Sequence, residues 1–319
     1  MKKVLSVSVA AYNVEQYLEE VLNSFIEDEV LKKCEVFIVN DGSKDNTAVI
    51  ANKYVAKYPD TFILIDKENG GWGSTLNAAI KVATGKYFKQ LDGDDLFEIK
   101  NLPEYLRALE EKDVDAIITP YMTFDDTSGE EIETIVEAPL LQRGKVHNLS
   151  EIVEHMNVAM HSCTFKTELL RDNEVYLLEK CFYTDAEFTL KALDNCKTIE
   201  FIDLVIYKYR LARAGQSVSI EGLKKHYKEH YKVLMELLRY EAEEMKPENG
   251  EFFKQKLKQL VYTQYAIFMA LEPSREHKEE FRKFDYELKH SYPDYYNVTG
   301  KKLCLLRLSN FSLYPLLVK

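Results

Sequence analysis

The chain has 319 residues, of which 46% are hydrophobic and 30% charged, with a net charge of −11. That length buries a substantial core, as one large domain or one domain with an appendage. The acidic balance excludes a broad nucleic-acid-binding surface, which needs Lys and Arg to neutralise phosphates.

The first part alternates strand and helix. Leu5–Ala10 reads as a strand rich in Val. Val14, Leu18, Val21, Leu22 and Phe25 then recur at helical spacing. Val36–Val39 is a second strand, ending at Asn40-Asp41-Gly42-Ser43. Asp45 can cap the next helix, which carries Val49, Ile50 and Val55. Phe62–Ile65 is a third strand, and a helix over about 74–83 follows Asn69-Gly70-Gly71. Tyr87–Leu91 is a fourth strand, Leu102–Leu109 a helix and Ala116–Pro120 a further strand. Strands and helices alternating at this pace predict a mostly parallel sheet flanked by helices.

Residues 122–148 break the rhythm. Asp125 to Gly129 and Gln142 to Lys145 are turn-like, so a hairpin is expected before a helix starting near Ser150. A helix over 184–194 and a strand over Thr198–Tyr209 come next. From Glu221 to about Tyr292 the period is helical, with breaks at Lys246–Gly250 and Pro273 and a buried stripe of Tyr227, Tyr231, Leu234 and Leu238. The expected division is a catalytic domain over 1–220 and a helical region over 221–319.

The five cysteines are widely spaced and form no Cys-x-x-Cys, which argues against a disulfide framework or a structural zinc site. No secretory signal and no membrane-spanning run is found, so a cytoplasmic location is expected. In residues 301–319 the only charges are Lys301, Lys302, Arg307 and Lys319, set among many leucines. This tail suits either the inner face of an anionic membrane or the core of the helical region.

The chemistry gathers at strand ends. The fourth strand stops at Asp92-Gly93-Asp94-Asp95, three carboxylates within four residues. Anions this close repel one another unless a cation joins them. Carboxylate oxygens suit Mg²⁺ or Mn²⁺, ions that keep waters and bind substrate phosphates. Asp92 and Asp94 can hold a ribose and the metal between them. Three other polar strand ends belong to the same edge of a parallel sheet: Ala10-Ala11-Tyr12-Asn13, Asn40-Asp41-Gly42-Ser43 and Asn69-Gly70-Gly71. Each alone makes a good turn; together they make a binding crevice. Tyr12 can stack on a base, Asp41 can accept from a pyrimidine N–H, and Gly70, Gly71 and Gly73 let backbone approach a ligand.

In this order the motifs resemble those of the family-two glycosyltransferases of the GT-A fold. The resemblance runs from Leu5 to Ser219 through Ser8–Glu15, Val39–Ser43, Glu68–Gly71, Asn77, Ala83–Tyr87 and Leu91–Asp95. It continues through Tyr183–Phe188, Tyr207–Arg210 and Gly215–Ser219. It implies a GT-A, Rossmann-like α/β fold with a C-terminal helical appendage, a nucleoside-diphosphate sugar donor (a UDP-sugar first) and inversion at the anomeric carbon. The implied donor site is Ala10, Ala11, Tyr12, Asn13, Glu15, Asp41, Asn69, Gly71, Asn77, Asp92, Gly93 and Asp94. Asp94 with Asp92 would hold Mn²⁺ or Mg²⁺, and Asp185 would be the general base. His161, Ser162, Arg210 and Arg213 fall to the acceptor side. The implied setting is bacterial cell-surface or exopolysaccharide synthesis, with a glycan or lipid-linked acceptor.

Three departures stand out. Leu76 occupies the position before Asn77 where the family often has Arg, leaving Arg210, Arg213 and Lys89 as candidate cations for the diphosphate. Thr184 replaces the first carboxylate of the acidic pair. The Gln-x-x-Arg-Trp motif of processive synthases is absent, which favours single-sugar addition. A non-catalytic sugar-nucleotide-binding relative is the rival reading. A nucleotidyltransferase is disfavoured, because no glycine precedes Gly42.

Overall fold

The computed structural model describes residues 2–138, 141–152, 158–211, 220–297 and 300–318. Arg213 and the segment Gly215–Ser219 lie outside the described residues. The chain divides into two compact units, Met1–Ala214 and Gly215–Lys319.

The first unit begins β1 (Leu5–Ala11), α1 (Leu18–Asn23), α2 (Asp28–Lys33), β2 (Cys34–Asp41), α3 (Thr47–Lys57) and β3 (Phe62–Lys67). It continues through α4 (Trp72–Val82), β4 (Tyr87–Asp92), β5 (Leu96–Phe97), α5 (Leu102–Glu111), β6 (Ala116–Ile118), β7 (Tyr121–Asp125) and β8 (Glu131–Ile135). Then come β9 (Val146–Asn148), α6 (Leu149–Ile152), β10 (Cys163–Lys166), α7 (Thr167–Asp172), α8 (Thr184–Asp194), β11 (Thr198–Phe201) and β12 (Tyr207–Leu211).

Eight strands form one sheet in the order β3-β2-β1-β4-β10-β6-β11-β9. β3, β2, β1 and β4 run parallel. β10 is inserted antiparallel between β4 and β6. Six of the eight central strands follow from the residues, β9 and β10 being the exceptions; β1 and β2 are buried along nearly their whole length, as strands covered on both faces must be. Val7, Val9, Val36 and Ile38 pack there with Leu18, Val21, Leu22, Leu102 and Leu106 from the helices.

A second sheet, β5-β12-β7-β8, stands beside the first. The expected hairpin in 122–148 is β7 and β8. The expected strand Thr198–Tyr209 is two strands: β11 stays in the large sheet and β12 joins the small one. Both are apolar enough to read as one run; only their separate partners divide them. β10 was not foreseen, because four residues carry too little periodicity. α2 escaped for the same reason, with Val30 its one buried residue.

The second unit is helical: α9 (Ile220–Lys225), α10 (Tyr227–Glu243), α11 (Gly250–Ala270), α12 (Arg275–Ser291), α13 (Pro293–Tyr296), α14 (Lys301–Leu308) and α15 (Tyr314–Leu317). Tyr227, Leu234 and Leu238 are buried, and Tyr231 is half-buried. One side of the tail is core: Leu303, Leu306, Phe311, Tyr314 and Val318 are buried. Arg307 donates to Asp285 Oδ1 (2.8 Å), Tyr265 Oη (2.9 Å) and the Tyr296 carbonyl (3.0 Å). The other side leaves Leu305, Leu308 and Leu316 exposed. Among the described residues no helix is long and apolar enough to cross a membrane.

The turn into β4 is held by a buried carboxylate. Glu35 accepts from Ser6 Oγ (2.6 Å), Thr84 Oγ1 (2.8 Å) and the Gly85 N–H (2.9 Å). A Cβ on Gly85 would stand 2.7 Å from both the Ser6 nitrogen and its Oγ. Gly85→Ala is therefore expected to destabilise the protein by about 1–3 kcal/mol, as overpacking against fixed backbone does. Urea denaturation measures it.

Candidate active site

The parallel register sets the site. Ala10 pairs with Val39 on one side and with Asp92 on the other, and Asp41 pairs with Lys67. The carboxyl ends of β1, β2, β3 and β4 thus share one edge, where open α/β sheets place their ligands. Gly93 lets β4 turn against β1: its N–H donates to the Ala10 carbonyl at 2.9 Å, and a Cβ there would lie 2.6 Å from that oxygen.

Asp41 organises the middle of this edge. Its buried carboxylate accepts from Lys67 Nζ (2.7 Å), the Gly70 N–H (2.8 Å), the Gly71 N–H (2.8 Å) and Ser74 Oγ (3.3 Å). Oδ1 takes three of these bonds and Oδ2 takes the one from Gly71, so Oδ2 keeps acceptor capacity. Asn69 donates to the Asp41 carbonyl at 2.9 Å. The clamp fixes the entry to α4, and Trp72 in its first turn donates Nε1–H to Asp92 Oδ1 at 2.7 Å.

Several residues expected to touch donor also hold the protein together. Asn13, at φ 52°, donates its N–H to Ser43 Oγ (3.0 Å) and accepts from the Lys44 N–H (2.8 Å). Glu15 accepts from the Asn46 N–H and side-chain amide, both at 2.8 Å. Asn77 exchanges bonds with the Leu177 backbone at 3.0 Å in each direction. What lies against Gly71 and Gly73 is protein: a Cβ on Gly71 would meet the Cys181 and Lys180 nitrogens, and one on Gly73 the Leu178 carbonyl. Ala11 is buried, while Tyr12 presents a ring that is 50% exposed.

The acidic turn is half-open. Asp92 and Asp94 are half-buried and Asp95 is 1% exposed. Asp95 Oδ2 accepts from Tyr207 Oη at 2.6 Å, and Oδ1 from the Arg210 N–H at 2.7 Å. Desolvation, reinforced by the charges of Asp92 and Asp94, pushes the Asp95 pKa well above the usual carboxylate range. Asp92, Asp95 and His161 each offer an atom within 4.8 Å of the others, the one such carboxylate–histidine group among the described residues. Two carboxylates and an imidazole are a fitting donor set for a divalent first-row ion such as Mn²⁺. The acidic turn was legible in the sequence; Asp95 and His161 as its partners in this group were not.

His161 lies between aromatic rings, with centroids 4.5 Å from Tyr209, 4.8 Å from Tyr207 and 5.0 Å from Tyr121. Burial, helped by the nearby Lys89 ammonium, lowers its pKa to about 3, so the imidazole is neutral. Neither ring nitrogen has a hydrogen-bond partner. Ser162 is buried and donates to Glu137 Oε2 at 2.9 Å.

Asp185 sits in the first turn of α8, behind Tyr183 at φ 66°. The residue is exposed, yet enough protein surrounds it that desolvation raises its pKa, against lowering by backbone N–H groups. α8 packs beside α4, with Phe188 edge-on to Trp72 at 6.4 Å. Burial, then the charges of Asp95, Asp92, Asp94 and Asp185, raise the pKa of the Tyr209 phenol to about 12. Glu187 is spent internally, on the Leu178 N–H (3.0 Å) and Lys191 (2.8 Å).

The candidate diphosphate cations have other partners. Lys89 donates to the His161 and Cys163 carbonyls at 2.8 and 2.9 Å, and burial lowers its pKa to about 7. Arg210 donates to the Asp94 carbonyl (2.6 Å), Asp126 (2.8 Å) and Glu20 (2.7 Å), beneath Phe124 and Tyr17. Leu76 is fully buried.

The model of the family described as "Glycosyl transferase family 2" matches residues 6–170. The chain belongs to that family. TarS of Staphylococcus aureus, a poly(ribitol-phosphate) beta-N-acetylglucosaminyltransferase, is 28% identical over 222 residues, covering 67% of this chain and 36% of TarS. The chain thus spans about a third of that relative's length. A glycosyltransferase of Mycoplasma pneumoniae is 26% identical over 248 residues, covering 76% of this chain and 80% of its own. Among solved structures, TarS residues 1–349 in complex with UDP-GlcNAc align with TM-score 0.58 at 19% identity, over 96% of this chain and 92% of that one. A mannosyltransferase of Pyrobaculum calidifontis with GDP-Man and Mn²⁺ aligns with TM-score 0.53 at 16% identity, over 99% and 86%. The fold is therefore the GT-A fold of these enzymes, a mostly parallel sheet flanked by helices.

The partners of Arg210 generate a test. Arg210→Lys keeps the charge but loses the planar fork that reaches Asp94, Asp126 and Glu20 together. A loss of roughly 2 kcal/mol or more is expected, as for other disrupted buried ion pairs. Calorimetric melting of the variant measures it.

Proposed function

We propose that the chain is an inverting glycosyltransferase that moves a sugar from a nucleoside-diphosphate sugar, a UDP-sugar first, to an acceptor hydroxyl. The observation that carries this reading is the acidic turn at the strand-end edge, where atoms of Asp92, Asp95 and His161 lie within 4.8 Å of one another, with the charge of Asp185 acting on the same Tyr209 phenol as those of the turn. Family membership supports it, as do the UDP-GlcNAc and GDP-Man complexes of the structural neighbours.

Each role follows from position. Tyr12 offers an open ring for a base, and Asp41 Oδ2 has acceptor capacity for a base N–H. Ala10, Ala11, Asn13, Glu15, Asn69, Gly71 and Asn77 shape the loops around the donor. A divalent ion on the acidic turn supplies charge stabilisation for the departing diphosphate. With Leu76 in place of a cation and Lys89 and Arg210 committed elsewhere, that ion carries more of the diphosphate charge.

The transfer balances simply. The acceptor oxygen bonds to the anomeric carbon as the carbon–diphosphate oxygen bond breaks. The acceptor proton passes to Asp185, and the nucleoside diphosphate leaves with the bonding pair. Attack opposite the leaving group inverts the centre. Desolvation suits Asp185 to the task, since a base with a raised pKa holds a proton more firmly.

Asp185→Asn is expected to lower kcat by about 10²–10⁴-fold while UDP-sugar still raises the melting temperature in the presence of Mn²⁺. Since only the ionised base acts, kcat/KM rises with pH through the Asp185 pKa. The acid limb therefore lies above the ordinary carboxylate value of 3.8. Unchanged turnover in the variant removes Asp185 from the mechanism, and a chain that binds donor without transfer is the non-catalytic relative.

The acceptor belongs to cell-surface glycan synthesis in this reading; the relative TarS is by name a poly(ribitol-phosphate) beta-N-acetylglucosaminyltransferase. A lipid-linked acceptor fits the outward side of α14. There Lys301, Leu305 and Leu308 follow at i, i+4 and i+7 on one exposed stripe, with Leu308 85% exposed. That stripe suits an anionic bilayer surface. The double substitution of Leu305 and Leu308 to Glu is expected to abolish flotation with anionic liposomes and leave the melting temperature unchanged. Equal flotation of the variant removes the tail as an anchor.

A further inference from the structure

The acidic turn holds a metal in the reading above, and the expected ligands were Asp92 and Asp94. The geometry points elsewhere for the third donor. We propose that His161 binds the divalent ion directly through a ring nitrogen, together with Asp92 and Asp95, and that this nitrogen favours Mn²⁺ over Mg²⁺.

Three observations meet here. First, atoms of Asp92, Asp95 and His161 lie within 4.8 Å of one another. Metal–ligand bonds of about 2.1 Å put opposed ligands about 4 Å apart, so a modest movement of the half-buried Asp92 toward the other two closes the group on an ion. Second, both ring nitrogens of His161 are sealed from solvent and lack a hydrogen-bond partner. A buried polar atom without a partner costs roughly 1–3 kcal/mol, and a metal bond removes that cost for one of them. Third, the ring cannot readily turn away, because Tyr121, Tyr207 and Tyr209 enclose it. Asp95 is equally fixed, by Tyr207 and the Arg210 backbone. Each of its oxygens accepts one bond there and keeps a second lone pair.

The selectivity follows from ligand type. Mg²⁺ is a hard ion that takes oxygen and gives up water reluctantly, while Mn²⁺, softer and less strongly hydrated, accepts an imidazole nitrogen beside carboxylates more readily. Trp72 adds orientation by donating to Asp92 Oδ1.

The proposal rests on the metal-assisted reading, and pulsed EPR of Mn²⁺ separates the two. The full chain is titrated with Mn²⁺ alone and again with UDP added. The bound ion is expected to show echo modulation from a directly coordinated ¹⁴N, changed to the ¹⁵N pattern when the protein is made with ¹⁵N-histidine. His161→Gln is expected to lose the modulation, to weaken Mn²⁺ binding roughly 10-fold or more, and to change Mg²⁺ competition much less. The isotope arm needs no substitution, so a variant that fails to fold does not decide the matter. Bound Mn²⁺ without ¹⁴N modulation overturns His161 as a ligand and leaves metal assistance standing. No Mn²⁺ bound with or without UDP overturns both.

Discussion

The buried carboxylate of Asp95 is the joint of this molecule. It closes the acidic turn at the end of β4 by accepting from the Tyr207 hydroxyl and the Arg210 N–H, both on β12. The large sheet and the small sheet are thereby fixed to one another at the point where the candidate chemistry lies. A buried anion next to two more, Asp92 and Asp94, is unfavourable, and its pKa is driven up accordingly. The fold tolerates it because charge-assisted hydrogen bonds and a nearby guanidinium network stabilise the turn. Arg210 contributes at both levels, through its backbone to Asp95 and through its side chain to Asp94, Asp126 and Glu20.

A second clamp prepares the other half of the edge. Asp41 gathers Lys67, Gly70, Gly71 and Ser74, and the helix that starts there carries Trp72 to Asp92. The two clamps share Asp92: Trp72 reaches its carboxylate, and its N–H donates to Tyr207 Oη at 3.2 Å. Loops from four strands are thus coupled by hydrogen bonds before any ligand arrives. Such preorganisation lets binding free energy go into the reaction instead of into ordering loops.

The same economy explains why so many motif residues have partners inside the protein. Asn13, Glu15 and Asn77 stitch neighbouring loops, and Glu187 pins the segment leading into α8. A residue at a ligand-facing edge can hold its loop with one group and meet ligand with another. Asp41, with Oδ1 crowded and Oδ2 lightly used, is the clearest example.

By itself the sequence determined the order of the main strands and helices in the first half, α2 apart, because strand-like runs there alternate with helix-periodic stretches and turn residues. It also marked the acidic turn, since three adjacent carboxylates have no structural economy of their own. It could not separate β11 from β12, expose β10, or place His161 against Asp92 and Asp95, 66 and more positions away. Nor could it show that Lys89 and Arg210, each a bare cation on paper, are consumed by carbonyls and carboxylates. Those facts are long-range pairings. A side chain's charge is written in the chain, but what that charge faces is decided only when distant segments pack, and hydrogen-bond partners and desolvation are settled by that packing alone.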